Sequence, residues 1–221
     1  MVTLTDFEKK YGNKIIIRCD SLCFNSGKIS FLMAPNGAGK TTLLKCITAL
    51  EQYEGQIMIN DKENTDNLEE CLVIWDDCPF IDTLSGLKNL LILSENKKSN
   101  KEIFDIAIKH LNEELLRRRV RTYSYGQRKR LALALAEILN PTVLIMDEIS
   151  NGLDFDTMQE LQKKLKELSV NRTIILTGHQ FGFYEKIYDD LYIIKDGVII
   201  KENSVGRKSL EEVYCETLHI N

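Results

Sequence analysis

Apolar residues in the first part of the chain occur in short runs separated by polar residues. These runs predict strands over residues 2–7, 15–19, 29–33, 56–60 and 71–75. Residues 41–50 instead carry apolar side chains in a helix-like pattern. The N-terminal part is therefore predicted to be rich in strands, with one early helix.

The pattern becomes helical in the middle of the chain. Leu84, Leu87 and Leu90 begin one series at helical spacing, and residues 103–111 contain a second. A third helix is predicted over residues 126–139, where Asn140-Pro141 ends it.

Strands and helices alternate in the last part of the chain. Strands are predicted over residues 143–146, 173–176, 191–194 and 198–200, and helices over 155–168 and 209–218. Asp196-Gly197 predicts a hairpin turn, and Ser209 with Glu212 predicts a capped helix start. This order predicts one α/β domain over residues 1–221, with a helical subdomain inserted at about residues 77–126.

Composition and charge exclude several classes of protein. The chain has 221 residues, of which 43% are hydrophobic and 28% charged, as in ordinary globular domains. The net charge of −4 shows no excess of basic residues, so no nucleic-acid partner is expected. Basic clusters at residues 117–121 and 128–130 are predicted to lie on solvated helix faces, with nucleic-acid contact as the alternative. No apolar run approaches the ~20 residues that span a bilayer.

Six cysteines are dispersed along the chain, at positions 19, 23, 46, 71, 78 and 215. None forms a Cys-x-x-Cys pair, so they are interpreted as reduced core residues of a cytosolic protein. A metal site at Cys19 and Cys23 is the alternative.

The strongest chemical motif is Ala34-Pro35-Asn36-Gly37-Ala38-Gly39-Lys40-Thr41-Thr42, between a predicted strand and a predicted helix. Such a loop turns successive backbone N–H groups inward to hold phosphates. Lys40 can reach the β- and γ-phosphates of a nucleotide, and Thr41 can bind Mg²⁺. Ala34 replaces the usual first glycine, which costs little if its φ is ordinary. An ordinary strand-to-helix turn is the alternative.

Two acids follow the predicted strand at residues 143–146. A buried strand delivers Asp147 and Glu148 to its carboxyl end, where open α/β sheets bind ligands. Asp147 suits a Mg²⁺ contact, and Glu148 suits polarisation of an attacking water.

A third motif lies between these two. In the run Tyr123-Ser124-Tyr125-Gly126-Gln127, followed by a basic helix, the chain resembles the nucleotide-binding domain of ATP-binding cassette (ABC) transporters. Their signature is Leu-Ser-Gly-Gly-Gln, so Ser124, Gly126 and Gln127 match. The resemblance implies that this loop contacts the γ-phosphate held by a second subunit. Tyr125 adds bulk where the family has glycine.

The resemblance extends to three further positions. Tyr11 stands where the family stacks an aromatic ring on adenine, although it could instead cap the turn at Gly12. Asp154 stands at the end of a turn that joins the two sites of a dimer. His179 stands where the family has a histidine that contacts the γ-phosphate.

Asp76 is a departure from the family pattern. The family has glutamine here, which touches Mg²⁺ and couples to the membrane partner. Asp76 is predicted to be a Mg²⁺ ligand, with a solvated turn acid as the alternative.

The resemblance implies a P-loop NTPase core of ABC type, with an N-terminal antiparallel β subdomain and an inserted helical subdomain. The expected protein is an ATP- and Mg²⁺-dependent ATPase subunit, acting as a homodimer or heterodimer with a separate transmembrane permease. It is expected to be cytoplasmic, at the inner face of the membrane, and to power export. The alternatives are a soluble ABC-type ATPase without a transport role and a nucleotide-binding module with weak hydrolysis.

Overall fold

The computed structural model describes residues 1–95, 97–202 and 208–218, apart from the side chain of Leu218. Residues 96, 203–207 and 219–221 of the predicted domain lie outside this part. Within it there are ten strands: β1 (Val2–Tyr11), β2 (Lys14–Phe24), β3 (Lys28–Met33), β4 (Glu54–Ile59), β5 (Lys62–Glu63), β6 (Cys71–Ile74), β7 (Val143–Met146), β8 (Thr173–Thr177), β9 (Asp190–Lys195) and β10 (Val198–Glu202).

The same residues form eight α-helices: α1 (Lys40–Ile47), α2 (Gly86–Leu93), α3 (Asn100–Ala107), α4 (Glu113–Arg117), α5 (Tyr125–Leu139), α6 (Phe155–Ser169), α7 (Phe181–Tyr184) and α8 (Leu210–Leu218). The predicted caps of α8 are present, since the Ser209 hydroxyl accepts from the N–H of Glu212 at 3.2 Å. The predicted turn is also present, because Asp196 and Gly197 both have positive φ between paired β9 and β10.

All ten strands join one sheet in the order β5-β4-β1-β2-β10-β9-β3-β8-β7-β6. Strands β5, β4, β1 and β2 are antiparallel, whereas β9, β3, β8, β7 and β6 are parallel. The two halves meet where β10 lies beside β2, with Val198 opposite Arg18. The predicted fold class, a mixed α/β fold with antiparallel N-terminal strands, is confirmed.

Core residues cover both faces of the parallel half. Along β3, Phe31 and Met33 belong to the cluster that includes Leu161 of α6. Leu32 points to the opposite cluster, which includes Leu43 of α1. Because both faces are covered, the parallel strands are apolar along nearly their whole length.

Helices α2 to α4 lie between β6 and β7 in the chain and pack against α5. Their shared cluster includes Leu90, Ile103, Leu116, Leu131 and Leu135. The helical region predicted in the middle of the chain is therefore present. Helix α5 packs against this region on one side and against the core of the sheet on another.

The basic cluster at residues 128–130 differs from its prediction at one position. Lys129 is only 1% exposed, so the expectation of a solvated face is wrong for this residue. It lies one turn before Leu133 on a helix that is covered on more than one side. Arg128 and Arg130 do reach the surface, where they pair with Asp82 and Glu160 at 2.8 and 2.6 Å.

All six cysteines are free thiols, and burial raises the pKa of Cys19 and of Cys46 to about 11. Across the described residues, no helix is both long enough and apolar enough to cross a bilayer.

Candidate functional site

The loop between β3 and α1 has the conformation of an anion cradle. Gly37 and Gly39 have φ values of 78° and 105°, which glycine adopts at no steric cost. A Cβ at Gly39 would also lie 2.6 Å from Cδ1 of Ile17, so the position excludes a side chain. Ala34 keeps a negative φ, and glycine is not required there.

A cavity of about 190 Å³ lies at this loop. The residues that line it come from the loop, from the start of α1 and from the end of β7: Asn36, Gly37, Gly39, Lys40, Thr41, Thr42, Asp147 and Glu148. The structure therefore brings together the phosphate loop and the two acids that the sequence singled out separately.

Lys40 is held at the base of the loop. Its Nζ donates to the carbonyl oxygen of Ala34 at 2.8 Å and to that of Pro35 at 3.3 Å. The same Nζ lies 3.4 Å from Nε2 of His179. Burial lowers the pKa of Lys40, and the charges of Glu148 and Asp147 oppose this shift.

Asp147 is buried and accepts hydrogen bonds at both carboxylate oxygens. The Thr41 hydroxyl donates to Oδ2 at 3.1 Å, and the Thr177 hydroxyl donates to Oδ1. Thr177 was not predicted as a site residue. The available signal was its position as the last residue of β8, the strand beside β7.

Glu148 follows Asp147 with a left-handed backbone, at φ 52°. Its Oε1 lies 3.2 Å from Nε2 of His179, and its buried Oε2 has no hydrogen-bond partner among the described residues. Burial raises the pKa of Glu148, against the positive charges of His179 and Lys40. A carboxylate in this state is a stronger base than a solvated one, and it has an oxygen free to accept a proton.

His179 owes its place to two residues that the sequence analysis missed. A Cβ at Gly178 would lie 1.9 Å from Oη of Tyr184, so only glycine fits there. The Tyr184 hydroxyl donates to the carbonyl oxygen of Thr177 at 2.7 Å, and its ring stacks on Phe31 at 4.3 Å between centroids. This buried tyrosine thereby fixes the backbone just before His179.

Ser124, Gly126, Gln127 and Asp154 are not among the residues that line this cavity. Ser124 and Gln127 form a capping box at the start of α5, with separations of 3.3 and 2.9 Å. Asp154 caps α6 by accepting from the N–H of Thr157 at 2.8 Å. Within one chain Ser124, Gln127 and Asp154 act as helix caps.

Tyr125 stands where the family has glycine, and its side chain lies beside Gly152. Its side chain is largely exposed, and a Cβ at Gly152 would lie 3.1 Å from its Cγ. Gly152 has φ +68°, so a glycine lets the aromatic ring rest on the turn that precedes Asp154.

Tyr11 and Asp76 have their own partners. The half-exposed Tyr11 donates from its hydroxyl to Oε2 of Glu51 at 2.7 Å, and its adenine contact stays a prediction. Asp76, just after β6, receives hydrogen bonds from the Lys129 ammonium at its carbonyl oxygen, 2.6 Å away, and at Oδ1, 3.3 Å away. Neither of the alternatives proposed for Asp76 included this ion pair.

Comparisons with known proteins find similar sequences over most of the chain. A family model described as ABC transporter matches residues 17–151. The lantibiotic transport ATP-binding protein SrtF of Streptococcus pyogenes is 30% identical over 219 residues, which are 97% of this chain and 96% of that protein. The spermidine/putrescine import ATP-binding protein PotA of Legionella pneumophila (strain Paris) is 35% identical over 211 residues, which are 90% of this chain and 58% of PotA.

Solved structures share the fold. The structure of an ATP-binding subunit of an ABC transporter has a TM-score of 0.87 at 22% identity, covering 98% of both chains. The dimeric structure of MJ0796, a bacterial ABC transporter cassette, has a TM-score of 0.79 at 23% identity, covering 91% of this chain and 98% of that one.

Proposed function

This chain belongs to the ABC transporter family as an ATP-binding, ATP-hydrolysing subunit, and from that premise we propose how its residues share the work. Lys40 and the backbone of residues 36–42 hold the phosphates of ATP. Glu148 serves as the base for hydrolysis, and His179 fixes the geometry between Glu148 and Lys40. The observation that carries this proposal is the convergence of the phosphate loop, Asp147 and Glu148 on one cavity, with His179 in contact with both Lys40 and Glu148.

The residues present suit a magnesium ion at this cavity. Thr41 and Asp147 offer a hydroxyl and a carboxylate within 3.1 Å of each other, and Mg²⁺ prefers oxygen ligands of this kind. We propose that these two residues would hold the metal. When bound, the ion supplies positive charge that offsets the phosphate oxygens.

Glu148 accepts a proton as water attacks the γ-phosphorus. The water oxygen forms the new bond to phosphorus, the bond from phosphorus to the bridging oxygen of ADP breaks, and the proton passes to the carboxylate. The buried Oε2, without a partner among the described residues, provides the acceptor. Lys40 offsets negative charge on the phosphoryl group, since its ammonium lies beside His179, which in turn contacts Glu148.

The substitution Glu148→Gln tests this assignment directly. It keeps the size of the side chain but removes the base, so we expect ATPase turnover to fall by about 100-fold or more while ATP binding is retained. Phosphate release and filter binding of labelled ATP measure the two effects. A variant with undiminished turnover would remove Glu148 from this role.

Two copies of the chain are proposed to share each ATP. The N-terminus of α5, with Ser124, Gly126 and Gln127, lies outside the chain's own cavity, as does Asp154. A helix N-terminus with small residues favours an approaching anion, which in this arrangement is the γ-phosphate on the partner. The solved dimeric cassette of similar fold supports the arrangement.

Dimer formation is measured on the Glu148→Gln protein with Mg·ATP, by light scattering and small-angle X-ray scattering. We expect a nucleotide-dependent dimer that disappears when ATP is replaced by ADP. A protein that stays monomeric at high concentration, while saturated with Mg·ATP, would overturn the shared site.

We further propose that the dimer, a homodimer or a heterodimer, works at the inner face of the membrane with a separate transmembrane permease and powers export. The support for export is the near full-length similarity to a lantibiotic transport protein, against a match to only 58% of the polyamine import protein. Reconstitution with a candidate transmembrane permease in inside-out vesicles, followed by measurement of ATP-dependent transport into the vesicle lumen, tests the direction. ATP-dependent loss of substrate from the vesicle lumen would indicate import and would contradict the proposed direction.

A further inference from the structure

Lys129 is a buried cation near the start of α5, five residues after the helix cap Ser124. Its side chain is 2% exposed. Its Nζ donates to two atoms of the same residue, the carbonyl oxygen and Oδ1 of Asp76, at 2.6 and 3.3 Å. The Asp76 side chain is about half exposed, and the residue lies two positions after Ile74, the last residue of β6.

Each member of this pair depends on the other. A buried ammonium without an opposite charge is strongly unfavourable, so Asp76 is what makes Lys129 tolerable inside the protein. In return, Lys129 offsets a carboxylate that lies near the reacting groups. That proximity follows from strand pairing, because the N–H of Asp147 donates to the carbonyl oxygen of Ile74 at 2.9 Å, two residues before Asp76.

We propose that Asp76 and Lys129 form a charge-matched positioning pair, which ties α5 to the segment after β6 beside the phosphate site. The proposal rests on the proposed function, since its effect on catalysis requires ATP at that site. Asp76 then does not bring an excess negative charge toward the phosphates. An aspartate is tolerated at position 76 because the ammonium of Lys129 on helix α5 balances its charge.

The proposal differs sharply from a role for Asp76 as a Mg²⁺ ligand alone. For a ligand, replacing the carboxylate changes the Mg²⁺ requirement, and a second change at Lys129 does not restore it. For a matched pair, each single replacement leaves one uncompensated charge, and replacing both residues removes the problem.

The experiment compares Asp76→Gln, Lys129→Gln and the double variant with wild type. The matched control is Asp77→Asn, which removes the charge of the neighbouring exposed acid. Asp76→Asn repeats the test if Asp76→Gln fails to fold. For each protein, kcat, KM for Mg·ATP, the Mg²⁺ concentration at half-maximal activity and urea unfolding are measured.

We expect Asp76→Gln to lower kcat about tenfold, although it introduces the residue usual in the family. We expect Lys129→Gln to raise KM for ATP about tenfold, because the uncompensated carboxylate then opposes the phosphates. The double variant returns both values to within about threefold of wild type, and Asp77→Asn changes neither by more than about twofold. The Mg²⁺ requirement of the double variant matches that of wild type.

Several outcomes would overturn the proposal. One is a double variant whose losses multiply instead of recovering, and another is a Mg²⁺ requirement that rises with Asp76→Gln and stays high in the double variant. Coupling that appears in urea unfolding while kcat and KM stay unchanged would make the pair merely structural. If wild type has no Mg·ATPase activity, the proposed function fails, whereas unfolding of the same four proteins still measures the ion pair.

Discussion

At the scale of single residues, Glu148 carries an unusual combination of features. Its backbone is left-handed, one carboxylate oxygen is buried with no partner among the described residues, and burial raises its pKa. Each feature is unfavourable for a folded protein, and such features concentrate where function requires them. The pKa shift links this single side chain to the stability of the whole domain.

We predict that Glu148→Gln raises the free energy of unfolding at neutral pH. A carboxyl group whose folded pKa lies above its unfolded value costs stability when it is ionised. That cost is absent below the unfolded pKa of about 4.3 and is complete above the folded pKa. The variant should therefore be more stable than wild type at pH 7 to 8, and its advantage should disappear as the pH falls toward about 4.

Urea denaturation across this pH range measures the effect, with the exposed Glu69→Gln as the control. A gain that is equal at every pH would contradict the assignment, because it would not come from ionisation of Glu148.

Two motifs in the sequence predicted site residues that the fold brings together, although their roles in catalysis stay predictions. Lys40, Thr41, Asp147 and Glu148 line one cavity, as strand ends in a parallel sheet require. Thr177 was missed because its role depends on β8 lying between β3 and β7, and this order is not encoded locally.

At the scale of elements, several structural features coincide in helix α5. It begins with a capping box, buries Lys129 near its start and packs on both the helical region and the sheet. Helix α3 begins with a capping box of the same kind, at Ser99 and Glu102. The two caps allow structural and functional effects of a capping serine to be separated.

We predict that Ser124→Ala and Ser99→Ala each lower the free energy of unfolding by about 1 kcal/mol, the usual loss for an N-cap. Only Ser124→Ala should also lower ATPase turnover, because its helix start is proposed to face the nucleotide of the partner chain. Urea unfolding and phosphate release, measured side by side, separate the two effects. Equal loss of turnover in both variants would reduce Ser124 to a structural cap.

Element boundaries were predictable where apolar periodicity was strong. Helix α5 was predicted from residue 126 and begins at Tyr125, and strand β7 was predicted without error. Strand β2 runs on to Phe24, five residues past its prediction, because pairing with β1 continues beyond Cys19 and places the polar Ser21 opposite Thr5. The short α4 and α7 were missed, since helices of five and four residues carry little periodic signal.

At the scale of the whole molecule, a cluster of charged residues joins the helical region to the sheet layers. His110, which follows α3, places Nε2 2.9 Å from Oε2 of Glu137 on α5. The same oxygen lies 3.0 Å from the ammonium of Lys164 on α6. Burial lowers the pKa of His110, although the neighbouring Glu137 opposes this shift.

We predict that this cluster makes the domain less stable in mild acid. A histidine whose folded pKa lies below its unfolded value of about 6.5 contributes stability above that pH, and the contribution is lost as the pH falls further. His110→Gln should lower the free energy of unfolding by about 1–2 kcal/mol at pH 7, through loss of a hydrogen bond to a charged group. The same variant should flatten the decline between pH 7 and 5.

Urea unfolding at several pH values measures both effects. Lys109→Gln is the control, because its exposed ammonium lies 3.9 Å from Glu137 and should change stability by less than about 1 kcal/mol. A pH dependence that is unchanged in His110→Gln would assign the acid sensitivity to other groups.

The meeting of β2 and β10 has a consequence for synthesis on the ribosome. These strands lie far apart in the chain, at residues 14–24 and 198–202, yet their contact joins the antiparallel half of the sheet to the rest. A nascent polypeptide that ends before residue 190 lacks both β9 and β10, so it holds two unconnected sheets with open edges. The sheet therefore closes only after β10, which ends at Glu202, has been synthesised, and the nascent chain is exposed to aggregation and proteolysis until then.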